Sequence, residues 1–322
     1  MISSTNHLGT TRRDFVHTTI GLVALAATPG LVLSNPTTPS ALSKETGMTT
    51  EPWFRISLAQ WSLHRTLRAG DLLPMDFPEH TRKQYGIEGV EYVSTFYGDQ
   101  KNDPAFPGKL RQRAEDAGVQ SLLIMVDGEG PLGAPDEAVR MEAVSNHRTW
   151  LDIAKALGCH SIRVNANSEG TPDEQLAYCA KGMSALLEHA DALELNVLIE
   201  NHGGHSSNGA WLSNLMKTVD NPRFGTLPDF GNFILDWNTM EEYDRYRGTS
   251  ELMPWAKAVS AKSHAFNTEG LETGTDYKRM IQIVKDAGYR GWIGVEYEGP
   301  EDNEARGIEQ TRDLLMKLGG TC

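Results

Sequence analysis

The chain has 322 residues, 39% of them hydrophobic and 31 of them glycine, a usage that fits a globular protein and excludes a disordered or collagen-like chain. Its 43 acidic and 30 basic side chains leave a formal charge of -13, which argues against a surface built to neutralise nucleic-acid phosphates or anionic lipid and favours small neutral partners. Length alone admits two domains or one large α/β barrel, and Cys159, Cys179 and Cys322 form no metal-type or redox-type spacing.

The first fifty residues read as a leader and a tether. Thr11-Arg12-Arg13-Asp14-Phe15-Val16 precedes an uncharged run from Thr18 to Ser34 that resembles a twin-arginine export signal. Gly21, Pro29 and Gly30 break that run, which is too short for a comfortable membrane span, so no stable span is expected once the leader is removed. The expected organisation is a signal peptide at 1–34, a Ser/Thr/Pro-rich linker at 35–52 and one domain at 53–322, with a periplasmic or otherwise exported destination. The first fifty residues carry a net charge of +1, so the remainder carries -14.

From Phe54 onward, strand-like runs recur about 30 to 40 residues apart with helical patterning between them. In chain order they are FRISLAQW (54–61), GIEGVEYV (86–93), VQSLLIMV (119–126), HSIRVNAN (160–167), NVLIEN (196–201), FGTLPDF (224–230), AVSAKSHAF (258–266) and GWIGVEYE (291–298). The helices between them carry their own punctuation. RAEDAGV, AKALGCH and VKDAGYR each put glycine just past the last turn, and Thr171-Pro172-Asp173-Glu174 has the order of a capping box. Eight such units predict an α/β fold of the (β/α)8 TIM-barrel class. A doubly wound open sheet is the rival, but no Gly-rich phosphate turn follows any of these runs.

In such a barrel the active face lies at the carboxyl ends of the strands. There the fifth run ends at Glu200-Asn201-His202, the sixth at Asp229, the seventh at Lys262-Ser263-His264 and the eighth at Glu296-Tyr297-Glu298. Four ionisable side chains at an apolar mouth are costly unless a metal or counter-charges neutralise them. Carboxylates that simply face water are the plainer alternative. Three carboxylates with one imidazole would suit a divalent metal ion, Mn²⁺ first, with Mg²⁺, Co²⁺ and Zn²⁺ as alternatives.

The segments ISLAQWSLH, IRVNA, IENHGG, GTLPDFGNF, AKSH and GVEYEG resemble the sugar phosphate isomerase/epimerase superfamily with the xylose-isomerase-like barrel, over about Trp53 to Gly319, and in particular its exported twin-arginine subgroup. The resemblance implies that Glu200, Asp229, His264 and Glu296 form a metal quartet and that Glu200 and Glu296 exchange the substrate proton. The chain departs from ketose epimerases of that superfamily at Asn232, three residues after the aspartate, where they often carry histidine.

Other inward positions are open to two roles each. His202 and Lys262 would face the same side as Glu200 and His264 if their strands continue. Lys262 would stabilise a developing oxyanion or serve as a structural counter-ion to the carboxylates. Arg163 and Asn165 would bind sugar hydroxyls, the arginine alternatively forming a salt bridge at the mouth. Trp61 would stack on a sugar or fill the core, with His64 beside it, and Asn232 adds a polar group at the substrate end. Asp127 and Glu129 read as a solvated turn or as part of the mouth, and residues 203–209 as a lid or a surface turn.

A site of this kind removes a proton from carbon beside a ketone and stabilises the enediolate that results. The leading expectation is a divalent-metal-dependent isomerase or epimerase of a non-phosphorylated sugar or keto-sugar. The alternative is a dehydratase or lyase of a 3-keto-sugar or inosose-like ketone. An apurinic-site endonuclease would need more histidines and a basic groove, which a domain of charge -14 lacks. A non-catalytic carbohydrate-binding barrel is the remaining class. The expected partner is a small carbohydrate, with no nucleic acid, and a homo-oligomer stays open.

Overall fold

The computed structural model describes residues 52–300 and 303–319. The expected leader, and the linker up to Glu51, lie outside the described residues. Eight parallel strands form one sheet: β1 (Arg55–Ala59), β2 (Gly89–Val93), β3 (Gln120–Met125), β4 (Ser161–Val164), β5 (Asn196–Glu200) and β6 (Phe224–Leu227), then, beyond a small hairpin of β7 (Ile234–Asp236) and β8 (Glu241–Glu242), β9 (Val259–Ser263) and β10 (Trp292–Tyr297). Their order is β6-β5-β4-β3-β2-β1-β10-β9. The two ends meet through parallel bridges at Thr226/Ala256 and Asp229/Ser260, where Ser260 N donates to Pro228 O at 2.9 Å and Phe230 N to Ser260 O at 3.0 Å. The eight runs read from the sequence are these eight strands. The β7–β8 hairpin was not anticipated, because it is too short to show an alternation.

The helices α1 (His64–Ala69), α2 (Phe77–Tyr85), α3 (Phe106–Asp116), α4 (Glu137–Leu157), α5 (Pro172–Leu193), α6 (Gly209–Val219), α7 (Arg245–Leu252), α8 (Tyr277–Asp286) and α9 (Glu304–Gly319) connect the strands. Thr171 and Glu174 make the capping box of α5 in both directions. Gly118, Gly158 and Gly288 adopt φ values of 67°, 80° and 77°, the left-handed conformation expected after a helix end. Among the described residues, no helix is long and apolar enough to cross a membrane.

Strand alternation sorts the core into two layers. Leu58, Val90, Tyr92, Ile124, Val197, Ile199, Ala261, Ile293 and Val295 pack outward against the helices in the large cluster, while Ala59, Val93, Leu123, Met125, Leu198, Leu227 and Ala258 form a separate cluster inside the barrel. A barrel interior is normally filled by branched apolar side chains. Here the inner set also holds the fully buried polar groups Ser57, Glu91, Arg163, Glu200, Ser260, Lys262 and Glu296.

Candidate functional site

The polar inner layer follows from the same alternation. With Leu198 inward, Glu200 is inward too; with Val259 and Ala261 outward, Ser260 and Lys262 face the interior; with Ile293 and Val295 outward, so does Glu296. Lys262 and Glu296 are register partners across the β9–β10 ladder, and Asp229 sits at the seam bridge to Ser260. The result is a convergence of three strand ends: carboxylate oxygens of Glu200, Asp229 and Glu296 lie within 4.8 Å of one another, all three side chains buried.

Each carboxylate is held by specific donors. Asp229 Oδ1 accepts the Gly231 and Asn232 amides at 2.8 and 2.7 Å. Asn232 Nδ2 donates to Glu200 Oε1 at 2.9 Å, so this residue orients the glutamate. Ser260 Oγ lies 2.7 Å from Asp229 Oδ2 and 2.6 Å from Glu296 Oε2. A hydroxyl has one proton to give, so with both carboxylates ionised one contact would lack a hydrogen. A proton on Asp229 satisfies both. Burial, above all, raises the Asp229 and Glu200 pKa values. Burial acts the same way on Glu296, but Lys262, the Ser260 hydroxyl and Arg163 outweigh it and hold that carboxyl below its ordinary range.

Two cations are built into the cluster. Lys262 is 3% exposed, and its Nζ lies 3.6 Å from Glu296 Oε1, 3.9 Å from Asp229 Oδ2 and 3.5 Å from Glu298 Oε1. Desolvation alone would lower its pKa, but the surrounding carboxylates raise it above the ordinary lysine value. Arg163 Nε stands 3.0 Å from Glu200 Oε2 at an angle too poor for a hydrogen bond, so both atoms keep an ion contact without a hydrogen-bond partner. Its Nη1 donates to Asp127 Oδ1 at 2.8 Å, and Asn165 Nδ2 donates to the same oxygen at 2.7 Å. Asp127 is therefore a clamped carboxylate of the mouth and not a free turn residue. Burial would raise its pKa, but Arg163 and these donors hold it low.

His264 is not part of the cluster. It is exposed, because β9 ends at Ser263 and the inward alternation that would have carried it into the barrel stops there. The Glu272 carboxylate draws the chain aside, accepting the His264 amide at 3.3 Å and the Gly274 and Thr275 amides at 2.8 and 2.5 Å. The inward positions of β9 belong to Ser260 and Lys262 instead.

A cavity of about 260 Å³ opens onto Glu296 of the triad, lined also by Trp61, Arg68, Thr95, Asp127, Arg163, His202 and Glu298, among others. It falls just below the usual size range of small-molecule pockets. A larger hollow of about 850 Å³ around Tyr246, Asn267 and Thr273 shares none of these residues. His202 is exposed at the rim; partial desolvation, then the charges of Arg163 and Lys262, favour its neutral form. Trp61 stacks on His64 with ring centroids 4.9 Å apart and carries the Arg68 guanidinium 4.9 Å from its ring. His64, expected as a substrate contact, is outside the lining; its Nδ1 lies 2.7 Å from Trp61 O and braces the tryptophan. Asn165 likewise spends its amide on Asp127 and is not part of the lining. Residues 203–209 form a pinned turn in which the Ser206 and Ser207 hydroxyls accept the His202 and Gly203 amides at 3.0 and 2.8 Å.

Arg68 and Asn201 have roles that the sequence analysis does not assign. Arg68 lies in α1 without a strand-end signal. Asn201 directly follows Glu200 and was available to inspection: its Oδ1 accepts the Asp229 amide at 2.8 Å, and its Nδ2 donates to the Asp229 and Asn232 carbonyls at 3.0 and 2.9 Å. Asn201→Ala would strip the Asp229 amide and carbonyl of this partner, while the Asn232 carbonyl keeps the Ser207 hydroxyl at 2.8 Å. Its expected cost is about 1–3 kcal/mol or more, measured as a lowered urea midpoint.

The three carboxylates alone offer oxygen donors that could hold a metal ion. The expected quartet is not assembled, since its imidazole faces solvent and the cluster holds an ammonium, which has no lone pair to offer. The residues present do not fit the four-ligand centre.

Comparison with known proteins agrees with this architecture. A family described as the xylose isomerase-like TIM barrel matches residues 82–318. The chain is 22% identical over 286 residues to the 3'-dehydrocarminate deglycosidase alpha subunit of a Microbacterium species, covering 66% of this chain and 78% of that one. D-psicose 3-epimerase from Clostridium cellulolyticum superposes with a TM-score of 0.65 at 11% identity, over 82% of this chain and 99% of that one. For 3-keto-D-glucoside 4-epimerase from E. coli the TM-score is 0.60 at 12% identity, with coverage of 82% and 99%. At these identities the structural likeness establishes the fold.

Proposed function

We propose, from the premise that this chain belongs to the xylose isomerase-like TIM barrel family, that it is an isomerase or epimerase of a non-phosphorylated keto-sugar, with 3-keto-glycosides as the substrate class. The observation that carries this reading is the convergence of Glu200, Asp229 and Glu296 at three strand ends, with Glu296 opening into the cavity. The names of a distant relative, a 3'-dehydro-glycoside deglycosidase, and of a structural neighbour, a 3-keto-D-glucoside epimerase, support the substrate class.

In this reading Glu296 takes the proton from carbon beside the ketone, the C–H electron pair enters the new double bond, and the carbonyl oxygen takes the charge. Glu200, oriented by Asn232 and buried beneath the cavity lining, is the second carboxyl of the pair and returns the proton in this reading. Return to the opposite face gives the epimer, and return to the adjacent carbon gives the isomer. His202, Arg68 and Asp127 meet the sugar hydroxyls at the rim, and Trp61 carries its apolar face. Trp61→Ala is expected to raise KM by about three- to tenfold with kcat little changed, the value of one aromatic contact; steady-state kinetics check it.

The name of the deglycosidase relative favours one second reading, elimination of the glycosidic substituent from the same enediolate. NMR of 3-keto-glucosides and free ketoses incubated with the protein in D₂O separates the two. Deuterium at carbon with a new stereoisomer supports epimerisation, and release of the aglycone supports elimination. Absence of exchange with every ketone would sink both. Export through the twin-arginine route belongs to the same proposal, and cell fractionation of the Arg12→Lys, Arg13→Lys chain tests it, with accumulation in the cytoplasm expected.

A further inference from the structure

We infer that Lys262, together with Arg163 at Glu200, is the resident cation of this site, supplying from the polypeptide the positive charge that the four-ligand centre would draw from a divalent ion. The inference gives catalytic meaning to the reaction proposed above, but its evidence and its test concern charge and metal binding, not turnover.

Four observations converge on it. First, Lys262 is a full member of the cluster and not a rim residue: it is 3% exposed, faces Glu296 in register on the neighbouring strand, and its Nζ lies 3.5–3.9 Å from carboxylates of Glu296, Glu298 and Asp229. Second, the fold makes room for it. A Cβ built at Gly231, immediately beyond the Asp229 turn, would stand 3.1 Å from both Cγ and Cδ of Lys262, so the bare glycine lets the lysine stem pass. Third, the hydroxyl of Ser260, the preceding inward residue of β9, already bridges Asp229 and Glu296, and the imidazole expected from this strand lies in solvent. Fourth, a second cation is buried against the triad: Arg163 is 4% exposed with its Nε 3.0 Å from Glu200 Oε2, so the two cations between them lie within 4 Å of all three carboxylates.

The chemistry follows from where the ammonium lies. Lys262 does not line the cavity, so it is a positioning and charge-balancing residue acting through Glu296 and Asp229. It keeps Glu296 ionised before the transfer; as the proton passes to Glu296 the negative charge moves to the substrate oxygen, so the total charge that Lys262 balances is unchanged. It forms no covalent bond, and proton and electron pair follow the route given above.

The test uses the full chain purified without added metal. Elemental analysis counts Mn, Mg, Co and Zn, and thermal unfolding is followed with EDTA and with MnCl₂. The wild-type protein is expected to hold sub-stoichiometric metal and to keep the same Tm in both solutions. Lys262→Met, which leaves the acidic triad without its ammonium, is expected to lose stability and to regain it with Mn²⁺, binding one ion per chain by EPR titration, whereas Lys262→Arg binds none. A wild-type protein that carries one tightly held ion, lost on Glu200→Gln, or whose Tm falls in EDTA and returns with Mn²⁺, would overturn the inference. These wild-type results decide the matter even if Lys262→Met does not fold. A failure of every ketone to exchange its protons would leave the metal count standing, so the two proposals fail separately.

Discussion

Glu296→Gln is expected to slow deuterium exchange at the carbon beside the substrate ketone by about 10²- to 10⁴-fold, the usual worth of a positioned general base. KM should change little, because the amide keeps the shape of the carboxyl group. Glu296 is the triad member that both lines the cavity and is held ionised, by Lys262, Ser260 and Arg163 against the pull of burial. Glu200 is pushed the other way, chiefly by burial, and so suits the acid of the pair. Environments that drive two carboxyl groups apart in this manner assign the base and the acid. NMR exchange rates for the wild type, Glu296→Gln and Glu200→Gln measure it. A Glu296→Gln protein that exchanges at the wild-type rate would remove Glu296 from the reaction and leave His202 as the next base at the mouth.

The second large effect concerns stability. Glu91 lies on β2, 1% exposed, with its Oε1 accepting the Ser57 hydroxyl at 2.6 Å and its Oε2 without a hydrogen-bond partner. It fits only because residue 294 is glycine: a Cβ there would stand 2.7 and 2.8 Å from its two oxygens. Burial pushes its pKa up to about 8, with Glu296 and Glu200 adding to the rise and Ser57 opposing it. The folded protein therefore holds a proton that the unfolded chain releases above its ordinary value of 4.5. Stability from this group is complete below that value and is lost as pH rises towards 8, at about 1.4 kcal/mol per pH unit and several kcal/mol in all. Glu91→Gln carries no such proton and still accepts from Ser57. Relative to the wild type it is expected to gain stability steadily between about pH 5 and pH 8 and to level off above. Urea midpoints of both proteins across that range check it, and a constant difference would show that Glu91 is ionised in the folded state.

Both residues illustrate what a linear reading can reach. Glu296 was legible, since it closes a strand-like run and barrel strands end at the active face. Glu91 was equally present in GIEGVEYV, as an acidic residue on the inner side of a strand that is otherwise apolar, but periodicity marks the side of the sheet and not what lies across the barrel. Asp127 and Lys262 each had two readings, and their partners Arg163, Glu296 and Glu298 come from other strands. The ligand role that the resemblance implied for His264 needed the inward alternation of β9 to continue one residue past its end at Ser263.

The sequence by itself determined the eight strands, the helices between them and their caps, because alternation, left-handed glycines and a capping box act over a few neighbouring residues. It also determined which strand ends carry carboxylates. Tertiary structure alone decided which of those side chains meet. Closure of β6 onto β9 brings Asp229 to Ser260, and the turn built on Glu272 sends His264 into solvent while Lys262 stays within. A strand's end depends on what captures its next amide, and a site's charge depends on which distant strands close around it; neither is a property of local spacing.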